Sequence, residues 1–236
     1  MTDRRLRAPE MGPGGGFGPP RGISRAPGDP VRFGPDSRSP LMEAGWHYID
    51  TVELDDVTAE DWALLNRQRG TFYAREQVRQ VLRLLQCSEG DASFGYQINN
   101  YRHCLQAATL AYRAGEDEET VVAALLHDAG AVLCPDSHAE FAACLLASYV
   151  SERTHWMLRH HTIFQHVHLA GVHDPAFDPD ERERWRGHRY FECTAAFVDR
   201  YDQRAICPNY DTAPLEFFVP MVQRVFARPP HHLVVD

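Results

Sequence analysis

The chain has 236 residues and a formal net charge of −9. That charge argues against a nucleic-acid backbone as the main partner, which would need a basic face, and no stretch is long and apolar enough to span a bilayer, so neither nucleic acid nor membrane is an expected partner. It contains no lysine, which excludes Schiff-base chemistry, a lysine general base and a Walker-type phosphate loop.

Residues 1–40 are rich in Gly, Pro, Arg and Ser and show no apolar periodicity. They cannot bury enough surface to offset their ordering entropy, which predicts a flexible arm. They also lack the continuous apolar core of a secretory signal, so a cytoplasmic location is expected. Residues 41–236 suit one domain with a sizeable core.

Within that domain, Thr58 and Asp61 resemble a capping box and open a first helix with Trp62, Leu64 and Leu65 on one face. Val78, Val81, Leu82 and Leu85 share the face of a second, which stops at Gly90. "NYRHCLQAATLAYRAG" predicts a third, ended by Gly115. "DEETVVAALLHDAG" predicts a fourth, with acidic residues on its first turn, where the helix dipole favours them. Ser137 opens a fifth and Ser151 a sixth, which ends in His160 and His161. Residues 171–187, with two Asp-Pro turns, read as an inserted loop. "HRYFECTAAFVDRYDQRA" predicts a seventh helix, and "LEFFVPMVQRVFARPP" an eighth with a kink at Pro220. No segment alternates with period two, so the expected class is all-α. Six cysteines form no C-x-x-C pair, and in a reducing compartment they are free thiols.

The fourth helix poses a problem. "VVAALLHDAG" is apolar until it reaches His127 and Asp128. A buried carboxylate without a partner costs several kcal/mol, so a positive group must face it. Other helices carry candidates of the same kind. His103 shares a face with Ala107 and Leu110, and His138 begins the fifth helix. Phe191, Ala195, Val198 and Asp202 are spaced 4, 3 and 4, which puts Asp202 on an apolar face; its rival Asp199 lies on a wetter one. Imidazoles and carboxylates that project from several helices into one core are how helical proteins build metal sites. Mixed nitrogen and oxygen donors suit iron, manganese or zinc.

The order His103, His127–Asp128, His138, His161, Asp202 resembles the HD-domain superfamily in its two-metal form. The resemblance covers roughly Tyr96 to Arg204. Its intervals are 24 residues from His103 to His127 and 23 from His138 to His161. "GYQINNYRHCLQAATLAYRAGEDEETVVAALLHDAG" and the later "RYDQ" are most similar to the mixed-valent di-iron oxygenase branch, which includes the phosphonate-cleaving oxygenase and myo-inositol oxygenase. The resemblance implies an HD-domain helical bundle with a metal site in its core. It implies two iron ions, Fe(II)/Fe(III), with O2 as co-substrate. His103, His127, Asp128 and Asp202 would hold one ion, and Asp128 would bridge to a second completed by His138 and His161. His160 competes with His161; the family interval and the stripe of Met157 and Leu158 favour His161, which leaves His160 to substrate or solvent.

Tyr96, Gln97 and Tyr101 stand where the family has a lid over the chemistry, so Tyr96 and Gln97 join Asp128 as catalytic candidates. The bland alternative is a turn packed by aromatics before the helix. Gln165 occupies the place of a lysine in the phosphonate-cleaving oxygenase, which points to a small polar substrate not gripped by ammonium groups. Gln165, Phe164 and His160 are its candidate contacts, against an ordinary surface loop.

Three readings follow. The first is oxidation, by O2, of a C–H-bearing carbon in a small polar metabolite. The second is hydrolysis of a phosphate ester by the same two metals; it calls for clustered basic groups, and Arg102 and Arg159 beside the ligands point partly outward. The third is a degenerate binding module, which retention of all six ligands opposes. The substrate and the oligomeric state stay open.

Overall fold

Thr58 and Asp61 make the reciprocal cap that starts the first helix. In the computed structural model, which describes residues 45–51, 53–172 and 177–232, the Asp61 N–H donates to Thr58 Oγ1 at 3.1 Å and the Thr58 N–H donates to Asp61 Oδ2 at 3.1 Å. Asp is shorter than the usual Glu or Gln and still reaches. This helix, α1 (Ala59–Gln86), runs without a break through Gly70, so the two helices expected here are one. A lone glycine costs a helix interior only about 1 kcal/mol, and no proline or second glycine stands beside it.

Asn99 then turns the chain. Its Oδ1 accepts from the Arg102 N–H and its Nδ2 donates to the Glu89 carbonyl at 2.8 Å, which caps α2 (Asn100–Arg113) and ties it to the end of α1. Gly115, at φ +80°, supplies the left-handed residue that ends α2. Asp117 caps α3 (Glu118–Leu126), in which every residue from Glu119 to Leu126 is buried. A helix buried on every side is a core helix, and α2 packs along it. Next come α4 (His138–Leu146) and α5 (Glu152–Gln165), which pack on each other; Ser151 caps α5.

The stretch read as an inserted loop folds in part. Glu181–Trp185 form a short 3₁₀ turn, and the Trp185 ring meets Trp156 edge-on at 5.9 Å. The Asp174–Pro175 turn lies outside the described residues. Next, α6 (Phe191–Phe197) continues as one π turn, Val198–Asp202, in which the Gln203 N–H donates to the Val198 carbonyl five residues back at 3.1 Å. Finally α7 (Leu215–Phe226) runs on through Pro220 and packs against α1 and α3.

The described residues are therefore all-α, with α3 at the centre. All six cysteines are free thiols. The described residues from Ile49 onward make one compact unit; the arm expected at residues 1–40 lies outside the described residues. No helix among the described residues is long and apolar enough to cross a membrane.

Candidate metal centre

Four histidines and two aspartates from different parts of the bundle converge beside α3. His103 comes from α2, and His127 and Asp128 from the turn that ends α3. His138 opens α4, His161 sits in the last turn but one of α5, and Asp202 closes the π turn after α6. Gly130 lets the turn after Asp128 lie close to α4, because a Cβ there would stand 2.6 Å from the Phe141 ring.

Each imidazole is aimed by its own backbone bond. His103 Nδ1 lies 3.0 Å from the Ala205 carbonyl and His127 Nδ1 2.8 Å from that of Ala124. His138 Nδ1 lies 2.7 Å from the Pro135 carbonyl and His161 Nδ1 2.7 Å from that of Leu158. A carbonyl oxygen only accepts, so each Nδ1 carries the hydrogen and each neutral ring presents the lone pair of Nε2. This is how proteins fix histidine ligands for a metal.

The lone pairs gather into two groups about the two oxygens of one carboxylate. Asp128 Oδ2 faces His103 Nε2 at 3.6 Å and His127 Nε2 at 3.7 Å. Asp128 Oδ1 faces His138 Nε2 at 3.2 Å and His161 Nε2 at 3.3 Å. Asp202 completes the first group, with Oδ1 at 3.3 Å from His103 Nε2 and 3.4 Å from His127 Nε2. His103 and His127 Nε2 are themselves only 3.1 Å apart. Two lone pairs at that distance repel unless a cation stands against them. Asp202 Oδ1 is also buried without a hydrogen bond, as expected when the nitrogens facing it carry no hydrogen. The donors therefore fit a metal on each side of Asp128.

The surroundings are unequal. His127, His161 and Asp202 are fully buried, whereas the side chains of His103, Asp128 and His138 are 14%, 15% and 19% exposed. The centre is thus least covered on the His103–Asp128–His138 side.

Without metal, a proton answers the crowding. Burial pushes His127 down, but the charges of Asp128 and Asp202 outweigh it and carry its pKa from 6.5 up to about 9. Burial pushes both aspartates up, yet the His127 charge and the neighbouring histidines hold them well below the usual carboxylate range. Because the folded pKa of His127 is raised, its stabilisation of the metal-free protein is complete below about 6.5 and is lost as pH rises through about 9. A metal must displace that proton. Titrating the metal-free protein with Zn(II) near pH 7.5 in dilute buffer should release about one proton from His127, and the release should vanish above about pH 9. Release that does not change between these values would show that His127 is not the protonated group.

Residues 100–186 match the family model of the HD domain. No curated protein matches the chain. The match spans the HD pair, His127–Asp128, together with His103, His138 and His161. Asp202 lies beyond it. The HD domain and this cluster point to a metal-dependent enzyme.

Not every candidate residue comes to the centre. Tyr96 and Gln97 are exposed in the turn before α2, so the structure leaves them in solvent. Phe164 is fully buried against Phe191 and Trp156, a core residue and not part of an open pocket. His160 stacks on Trp156 at 4.0 Å and bonds through Nδ1 to the Trp156 carbonyl. Gln165 does reach the centre, but its Nε2 donates to Asp202 Oδ2 at 2.7 Å. Asp199 turns outward to His168 at 2.9 Å. Two supports were not assigned from sequence. Asn100 Nδ2 donates to the Asp128 carbonyl at 2.9 Å. Gln106 is fully buried and clamps the Cys207 backbone, with Nε2 on the carbonyl at 2.7 Å and Oε1 on the N–H at 2.9 Å. That clamp steadies the segment whose Ala205 carbonyl aims His103. The position of Gln106 one turn after His103 was the available signal.

Proposed function

We propose that this chain is a di-iron oxygenase that uses O2 to oxidise a C–H-bearing carbon of a small polar metabolite. The observation that carries the two-metal part of this reading is Asp128, whose two oxygens each face a separate pair of histidine lone pairs. His103, His127, Asp128 and Asp202 would hold one iron, and Asp128, His138 and His161 the other. The iron pair would supply one-electron chemistry and O2 activation, which no side chain supplies. Six donors, four of them imidazole, suit iron better than magnesium, and the sequence similarity to the mixed-valent oxygenases supports the choice.

The chain's own part is to hold, orient and enclose. The buried side, His127, His161 and Asp202, keeps water from the rear of the centre, where the Phe197 ring meets His127 edge-on at 5.8 Å. The more open side admits substrate.

Phosphate-ester hydrolysis is the competing reading, and the HD domain itself favours it. The arginines beside the ligands do not support it. Arg102 Nη2 reaches toward the Tyr210 carbonyl at 3.4 Å, and Arg159 is exposed, lining a groove with Glu140, Cys144 and His155. The test is to load the protein anaerobically with Fe(II), or with Mn(II), and follow two assays. O2 uptake coupled to loss of a polar metabolite, with iron alone, supports the oxygenase. Phosphate release from simple phosphate esters with Mn(II), and no coupled O2 uptake with iron, would give the centre to a hydrolase.

A further inference from the structure

Helix α5 presents two side chains to the centre from one face. His161 is the first, and Gln165 follows four residues later. Gln165 Nε2 donates to Asp202 Oδ2 at 2.7 Å. An ionised carboxylate only accepts, so the amide must offer its nitrogen here and not its oxygen. The other oxygen of Asp202 differs in every respect. Oδ1 is buried, receives no hydrogen bond, and stands 3.3 and 3.4 Å from the Nε2 atoms of His103 and His127. Asp202 is fully buried, so water cannot exchange freely for either partner.

We propose that Gln165 is a positioning residue that commits Asp202 to bind metal through Oδ1 alone. This rests on the metal-centre reading above and specifies it further. Chelation by both oxygens would make Oδ2 share its electron density between the metal and the amide, weakening a bond that is charge-assisted and buried. Gln165 therefore limits the protein donors of the first ion to His103, His127, one oxygen of Asp128 and one oxygen of Asp202. Its remaining positions are left for ligands from solution. One helix then serves both ions, because His161 faces the second group while Gln165 restrains the first.

The test loads the full-length protein and its Gln165→Met variant with Mn(II). Met fills a similar volume and offers no donor. Each protein is dialysed against graded chelator, the retained manganese is counted, and the loaded crystal structures are solved. Wild type should hold two ions, with Asp202 bound through Oδ1 and Oδ2 on Gln165. In the variant Asp202 should rotate or chelate through both oxygens, and the ion between His103, His127 and Asp202 should be retained about 10–100-fold less tightly, the usual cost of losing a group that orients a ligand. Two-oxygen chelation by Asp202 in wild type would overturn the inference, and that structure decides the point even if the variant does not fold. Unchanged coordination and retention in the variant would overturn it too. Wild type that holds fewer than two ions would overturn the metal-centre reading and this inference with it.

Discussion

Replacing Asp128 by Ala should strip both metal ions from the chain and reduce turnover to background. Asp202→Ala should lose only one. The difference follows from where the oxygens lie. Asp128 Oδ2 is 3.6 Å and 3.7 Å from His103 and His127, while Oδ1 is 3.2 Å and 3.3 Å from His138 and His161. Its removal takes a ligand from each ion and leaves two cations close together without their shared counter-charge. Asp202 touches only the first group. Elemental analysis of both variants after anaerobic loading gives the answer directly. Two ions retained in each would rule out the bridging role.

The second large effect separates neighbours. His161→Ala should drop the chain from two metals to one and abolish turnover, whereas His160→Ala should keep both. His161 is fully buried, and its Nε2 stands 3.3 Å from Asp128 Oδ1. His160 points into an aromatic group, stacked on Trp156 at 4.0 Å and edge-on to Trp185 at 5.1 Å. Adjacent residues on a helix diverge by about 100°, so they cannot share one target. His160→Ala should instead cost about 1–3 kcal/mol of stability through lost ring packing, read as a lower melting temperature. Metal loss on removing His160 alone would reverse the assignment.

The ligand order is legible through the resemblance to the HD-domain superfamily, and the six residues it implies, His103, His127, Asp128, His138, His161 and Asp202, lie together beside α3. Helical period alone places only some of them, putting His103 and Asp202 on apolar faces. The separation of Asp202 from Asp199 was legible for the same reason, since only Asp202 continues the stripe of Phe191, Ala195 and Val198. What spacing does not carry is the direction of a side chain beyond its helix face. Phe164 and His160 are close in sequence to a ligand, yet they pack into rings contributed by Trp156, Trp185 and Phe191. Gln165 meets a carboxylate 37 residues away, a pairing that no local pattern encodes. The π turn is equally silent in sequence, because one added residue per turn leaves the apolar pattern nearly intact. The joining of the first two expected helices has a plainer cause: Gly70 marks a weak point in α1, but nothing beside it stops the chain.

The central claim is a coupled pair of irons across Asp128. The most direct test is to load the protein with Fe(II) without oxygen, oxidise it by one electron per chain, and record its spin resonance alongside an iron count. Two irons per chain and a half-spin signal from a coupled Fe(II)/Fe(III) pair, absent in Asp128→Ala, are the predicted result. One iron per chain, or only the signal of isolated Fe(III), would contradict it.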